Sequence, residues 1–236
     1  MHLGNHSYSI LKSKYPQIDH RILLHHVYDT IYTSIQPKIE CCKKLNLNPN
    51  NIYILCFGEF RADEERNLII QLAKQLKNEK VKILAPSFCL VPKRRNLFYV
   101  IMPLLKYLYY KFKYSNIKME KYFVDDNQLM YYYGASSISL IHRLKILNSG
   151  NVPLGFLMKN IVVGPNVGNV GEWLKETNNP TFNPHEEQTL IDAIWLAIRN
   201  NKVGEDNYKY AMKNLTTSII SSKLYYYYKD LLKNNI

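Results

Sequence analysis

The sequence predicts an α/β fold: a parallel sheet flanked by helices, with a long helix at the C-terminal end. Three observations carry this expectation. The runs Ile52-Tyr53-Ile54-Leu55-Cys56-Phe57 and Ile161-Val162-Val163 are apolar without alternation, and they stop at Gly58 and at Gly164-Pro165. Strands read that way when both of their faces are covered, as in parallel sheets. Helical periodicity then alternates with the strand runs, which is the order of βα units.

Four weaker runs complete the expected strands: 22–25, 81–85, 121–124 and 137–141. Segment 64–78 places Leu68, Ile69, Leu72, Ala73 and Leu76 at helical spacing. Segment 186–200 does the same with Leu190, Ile191, Ile194, Trp195 and Ile198, and Pro184 suits its start. Segment 206–232 reads as one long helix ending in a run of four tyrosines, Tyr225 to Tyr228. Tyrosine rings pack while their hydroxyls stay wet, so that face expects something to cover it.

At 236 residues the chain suits one domain with additional arms, and 47% hydrophobic residues suffice for a core. Thirty-one Lys and Arg against 19 Asp and Glu give a formal charge of +12. Such a surplus either reflects a general bias toward Lys and Asn or attracts anions. Nucleic acid is the weaker choice of anion, because no recognised nucleic-acid-binding motif accompanies the charge. The four cysteines, Cys41, Cys42, Cys56 and Cys89, form no C-x-x-C pair. They make neither a zinc framework nor a disulfide scaffold, and Cys56 and Cys89 read as buried thiols. With no leader pattern over residues 1–13 and no apolar run of spanning length, a cytoplasmic protein is expected.

Segment 96–114 does not fit a minimal sheet domain. It is apolar and aromatic, follows Lys93-Arg94-Arg95, and contains Lys106, Lys111 and Lys113. Two readings stand: an amphipathic arm on the anionic inner face of the plasma membrane, or a helix packed on the domain with exposed lysines. Pro103 counts against a regular helix in either.

Three loops carry candidate chemistry. In Phe57-Gly58-Glu59-Phe60-Arg61, glycine permits close approach to a ligand, and the following helix start and Arg61 suit a phosphate. Asn148-Ser149-Gly150-Asn151 is either a plain helix start or an anion cradle of N–H groups and the Ser149 hydroxyl. Arg143 and Lys145, just before it, favour the anion. The third loop, Gly164 to Glu172, has glycines at Gly164, Gly168 and Gly171 but lacks the dinucleotide fingerprint. Glu172 caps the next helix or reaches a ligand hydroxyl. In an open α/β sheet, such loops gather where ligands bind.

These residues, in this order, resemble the C-terminal, nucleotide-sugar-binding domain of GT-B glycosyltransferases. The closest resemblance is to the large retaining family that includes sucrose-phosphate synthase and bacterial polysaccharide glycosyltransferases. Residues 54–76 resemble its opening strand, Gly-x-x-Arg loop and helix. Residues 123–136 resemble its acidic turn and Tyr-x-x-Ala segment. Asn148-Ser149-Gly150 through Pro165, with Gly168 and Glu172, resembles a subgroup with an Asn-Ser-Gly phosphate loop. His25-His26-Val27-Tyr28 resembles the end of the preceding acceptor-side domain. The match runs over residues 20–235 with an insertion at 93–115.

The resemblance implies a Rossmann-like domain over 51–205, the end of an acceptor-side domain and a linker over 1–50, and a crossover helix over 206–236. It implies sugar transfer, with retention, from a nucleotide-sugar to a cell-surface polysaccharide or glycolipid. Gly58, Arg61, Ser149 and Gly150 would bind the donor diphosphate, and Asn148, Asn151, Gly168 and Glu172 would line the donor pocket. No cofactor or metal is expected, because helix ends and basic groups carry the phosphate charge. Three positions depart from the family pattern. Glu64 replaces a lysine, Pro153-Leu154-Gly155 stands where a ribose-binding carboxylate is usual, and Lys159-Asn160-Ile161 replaces Gly-Lys-Pro. With about 50 residues before the first strand, too few for an acceptor domain, the chain is expected to be a fragment, one subunit of a split enzyme or a remnant. A non-catalytic subunit working with such a domain is the alternative.

Overall fold

In a computed structural model, residues 1–77, 80–92 and 97–234 are described. Asn78 of the expected helix, Lys93 to Asn96 of the insertion and the last two residues lie outside them. The chain opens with helices α1 (Asn5–Lys14) and α2 (Lys38–Lys44). Strand β1 (Ile52–Leu55), helix α3 (Asp63–Gln75), strand β2 (Val81–Leu84), helix α4 (Leu97–Lys113) and strand β3 (Ile117–Lys118) follow. After helix α5 (Asp126–Ala135) come strand β4 (Ile138–Leu140), helix α6 (Asn151–Leu157), strand β5 (Ile161–Pro165) and helix α7 (Gly168–Glu176). Strand β6 (Thr181–Phe182) and helices α8 (Glu187–Arg199), α9 (Lys202–Asn214) and α10 (Thr217–Asn234) complete the chain.

The six strands form one parallel sheet in the order β3-β2-β1-β4-β5-β6, which reverses direction between β1 and β4. This is the Rossmann-like order, with its crevice at the β1/β4 switch point. The continuous apolar strands are covered on both faces. Ile54 and Val163 pack with Leu72 of α3 and Ile194 of α8 on one side. Tyr53 and Leu55 pack with Tyr133 of α5 and Cys42 of α2 on the other. Val162 packs with Phe156 of α6, Leu174 of α7 and Ala211 of α9.

Several expectations need correction. Segment 121–124 is a loop, and the third strand is Ile117–Lys118, where Ile83 pairs with Ile117. Phe123 stands 64% exposed and only Val124 of this segment is buried, so 121–124 has no alternating run of inward side chains to lay on a sheet. Segment 22–25 is an extended arm that touches the N-terminus through one bridge, His2 to Ile22. The helix expected over 206–232 begins earlier and breaks into α9 and α10. Val27 donates to the Leu215 carbonyl at the break (2.8 Å), and the Thr217 hydroxyl donates to Asp29 (2.6 Å). The N-terminal arm thus occupies the gap between the two helices. The 18-residue α10 runs back along that arm, where Asp230 accepts from Arg21 (2.5 Å) and Tyr227 donates to the Ile22 carbonyl (3.1 Å). Helix α4 runs through Pro103. All four cysteines are buried free thiols, and burial raises the pKa of each, Cys41 to about 11.

Candidate functional site

A cleft of about 230 Å³ opens at the switch point. The turn after β1 supplies Phe57 and Gly58, the end of β4 supplies Ile141, His142 and Arg143, and the loop before α6 supplies Asn148, Ser149, Gly150 and Asn151. Gly58 has φ +109°, a conformation open to glycine and costly for other residues. The Asn151 amide donates to the Phe57 carbonyl (2.9 Å), tying the two loops together. The Ser149 hydroxyl accepts from the Asn151 N–H at 3.3 Å and keeps its own proton to donate. Asn148 is held from behind: its side-chain amide oxygen accepts from the Asn169 amide of α7 (2.7 Å), which also donates to the Ser7 hydroxyl of α1 (3.0 Å).

Of the eight residues singled out from the sequence, five meet here: Gly58, Asn148, Ser149, Gly150 and Asn151. Gly168 lines an adjoining cleft of about 740 Å³ with Glu64 and Lys145. A Cβ on Gly168 would stand 2.6 Å from the Ile146 carbonyl, so a glycine is needed where α7 starts. Arg61 stands outside both clefts, exposed and 3.7 Å from Glu59. Glu172 also lies outside both, 3.6 Å from His6 of α1.

The positive charge in the smaller cleft comes from Arg143. It is three-quarters buried, 3.8 Å from the Glu65 carboxylate and 3.4 Å from the Glu59 carbonyl. The start of α3 is filled from within the chain. Asp63, Glu64 and Glu65 occupy its first turn, and Glu65 accepts from the Arg61 N–H (2.8 Å). Those carboxylates take up the positive end of the helix dipole and oppose a second anion there. The basic side chain of the smaller cleft therefore comes from the β4–α6 segment, not from the start of α3.

Two groups of residues escaped a reading by motif. From the N-terminal arm, Tyr28 and His25 reach the Ser149-Gly150 loop. A Cβ on Gly150 would lie 3.0 Å from the Tyr28 hydroxyl and 3.8 Å from His25 Nε2. The only advance signal was the His-His-Val-Tyr resemblance, which carried no contact. The other is His142, 4% exposed and stacked on Phe60 at 4.1 Å. Its ring nitrogens reach no hydrogen bond of ordinary geometry. Burial pushes its pKa down from 6.5 to about 4, so it is neutral near pH 7.

That depressed pKa has a consequence for stability. Between pH 6.5 and 4 the unfolded chain binds a proton at His142 that the native chain excludes, so this contribution is present above pH 6.5 and is lost as pH falls toward 4. Urea unfolding of the wild type and of His142→Phe across this range is expected to show the wild type losing stability relative to the variant. Parallel curves would contradict it.

No protein-family model matches the sequence, and no curated protein sequence matches it. Solved structures do. Sucrose-phosphate synthase from Thermosynechococcus elongatus is 13% identical with a TM-score of 0.73, covering 99% of this chain and 58% of its own. Anabaena HepE, solved in complex with UDP, is 14% identical with a TM-score of 0.68, covering 89% of this chain and 57% of its own. The C-terminal domain of a Francisella tularensis group 1 glycosyl transferase is 16% identical with a TM-score of 0.57, covering 78% of this chain and 97% of its own. This chain thus spans about three fifths of the first two proteins and nearly all of the isolated C-terminal domain. At such identities the likeness is one of fold, and the fold is that of the C-terminal domain of GT-B glycosyltransferases.

Proposed function

We propose that this chain is the donor-binding half of a retaining glycosyltransferase and that it holds a nucleoside diphosphate sugar in the switch-point cleft. The observation that carries the reading is the convergence of Arg143, the Ser149 hydroxyl and the Gly58 turn on one cleft at the C-terminal ends of β1 and β4. Ligands bind at that place in open α/β sheets. Anabaena HepE, a structural neighbour solved in complex with UDP and with UDP-glucose, supports this class of donor.

Departure of the nucleotide places two negative phosphates where the glycosidic bond breaks. Arg143 and the Ser149 hydroxyl stabilise that charge as it develops. Arg61, across the Gly58 turn, is exposed and faces Glu59, so it adds little to the hold on the diphosphate. The acceptor, a cell-surface polysaccharide or glycolipid, is bound by a second domain facing the cleft. Isothermal titration with UDP, GDP and their sugars is the test. Saturable binding of at least one diphosphate is expected; a folded protein that binds none of them would end the reading.

A further inference from the structure

Helix α4 is apolar on two opposite faces. One face enters the core through Leu104, Tyr107 and Tyr110. The other points to solvent and carries Ile101, Met102, Leu105, Leu108, Tyr109 and Phe112, the last 83% exposed. Positions 101, 105, 108 and 112 follow the spacing of one helical stripe. A helix that is hydrophobic all round needs cover on both sides, and the described residues cover only one.

Charge identifies the cover. From Val91 to Met119 the sequence has seven basic residues and no acidic one. Lys106 and Lys113 stand on one flank of the outward stripe and Lys111 on the other. Among the described residues, none of the three is paired with a carboxylate. Lys106 lies over the ring of Tyr110, Lys111 over Tyr107, and Lys113 over Tyr109, whose hydroxyl it also bonds. Apolar side chains in the middle, with lysines and tyrosines at the margins, match the layering of a bilayer surface. No helix of the described chain is long and apolar enough to cross a membrane. The helix would therefore lie in the plane of the surface.

We infer that the outer face of α4 docks on an anionic lipid bilayer, with Leu105, Leu108 and Phe112 among the acyl chains and the lysines on lipid phosphates. This is independent of the donor site. The structure thus combines the two readings of segment 96–114: the helix is packed on the domain, and its other face is left for the membrane.

The test is flotation of the full chain with phosphatidylcholine vesicles, with and without phosphatidylglycerol. Binding is expected only with the anionic lipid, weakening as salt rises. Leu105→Glu with Phe112→Glu is expected to reduce partitioning tenfold or more. Lys106→Gln and Lys113→Gln are expected to reduce it about fivefold each. Both apolar positions are exposed, so circular dichroism and Tm should match the wild type and separate lost docking from lost folding. Wild-type protein that ignores anionic vesicles, or a Glu variant that floats like wild type, would overturn the inference. So would a wild-type dimer that the Glu variant converts to monomer, because a second copy would then be the cover.

Discussion

Replacing Arg143 with glutamine is expected to weaken UDP binding by about ten- to a hundredfold, the range spanned by a hydrogen bond to a charged group at ~1.5–3 kcal/mol. The size follows from placement. The guanidinium is three-quarters buried beside the cleft, held by the Glu59 carbonyl and facing Glu65. It is already oriented, so little side-chain entropy is lost on binding. Arg143→Lys should recover only part of the affinity, because a single ammonium cannot replace the planar fork. Arg61→Gln is the informative comparison. That side chain is 65% exposed and paired with an exposed Glu59, so its loss should change the Kd by less than about threefold, in line with exposed ion pairs worth ~0–1 kcal/mol. Titration calorimetry on the three variants decides between them. An Arg61 effect larger than the Arg143 effect would move the diphosphate across the Gly58 turn.

The largest stability effect is expected at Asn207, which is 1% exposed on α9. Its amide donates to the Asn160 carbonyl (2.9 Å) and to Asn179 (2.9 Å), and its oxygen accepts from Asn179 (2.7 Å). Asn179 in turn accepts from the N–H of Val162, the second residue of β5 (2.8 Å). These buried amides join α9, the start of β5 and the turn before β6. Asn207→Leu takes the amide donor from the buried Asn160 carbonyl, at ~1–3 kcal/mol, and removes one of the bonds of the Asn179 amide, which keeps those to the Thr177 carbonyl (3.1 Å) and hydroxyl (3.0 Å). A loss of about 3 kcal/mol is expected, which lowers the Tm by roughly 6–12 °C at ~2–4 °C per kcal/mol. Calorimetry measures it. Asn179→Leu and the double variant complete a cycle in which the double should cost less than the sum of the singles. Strict additivity would show that the pair does not act as a unit.

The parts of the fold that were legible before the structure share one property: their pattern is local. Strands β1 and β5 were readable because burial on both faces makes every position apolar. Helices α3 and α8 were readable because one covered face imposes helical spacing. The Ser149 and Gly58 loops were readable because turn residues announce themselves wherever they stand. What was misread depended on distant partners. Strand β6 has two residues, too few for any period, and exists only because Gly164 and Pro165 offer it a ladder. The break between α9 and α10 is made by Val27 and Asp29, nearly 190 residues away. Helix α7 opens on glycines that read as a loop until packing against Ile146 and Leu147 explains Gly168.

The site divides in the same way. The sequence by itself determined the phosphate-friendly loops, because hydroxyl, amide and glycine chemistry is carried by single residues. It also determined the basic, apolar character of segment 96–114. Only the tertiary structure decided which cation stands in the cleft. Arg61 follows the glycine in sequence, but α3 fills its own N-terminus with carboxylates and Arg61 turns outward beside Glu59. Arg143, from the end of β4, comes to the crevice because parallel strands deliver their C-terminal ends to one edge of the sheet. Tyr28 and His25 reach Gly150 because the N-terminal arm is pinned between α9 and α10. Charge and hydrogen-bonding capacity belong to residues and can be read along the chain; distance and burial belong to the folded arrangement, and they decide which of those residues can act together.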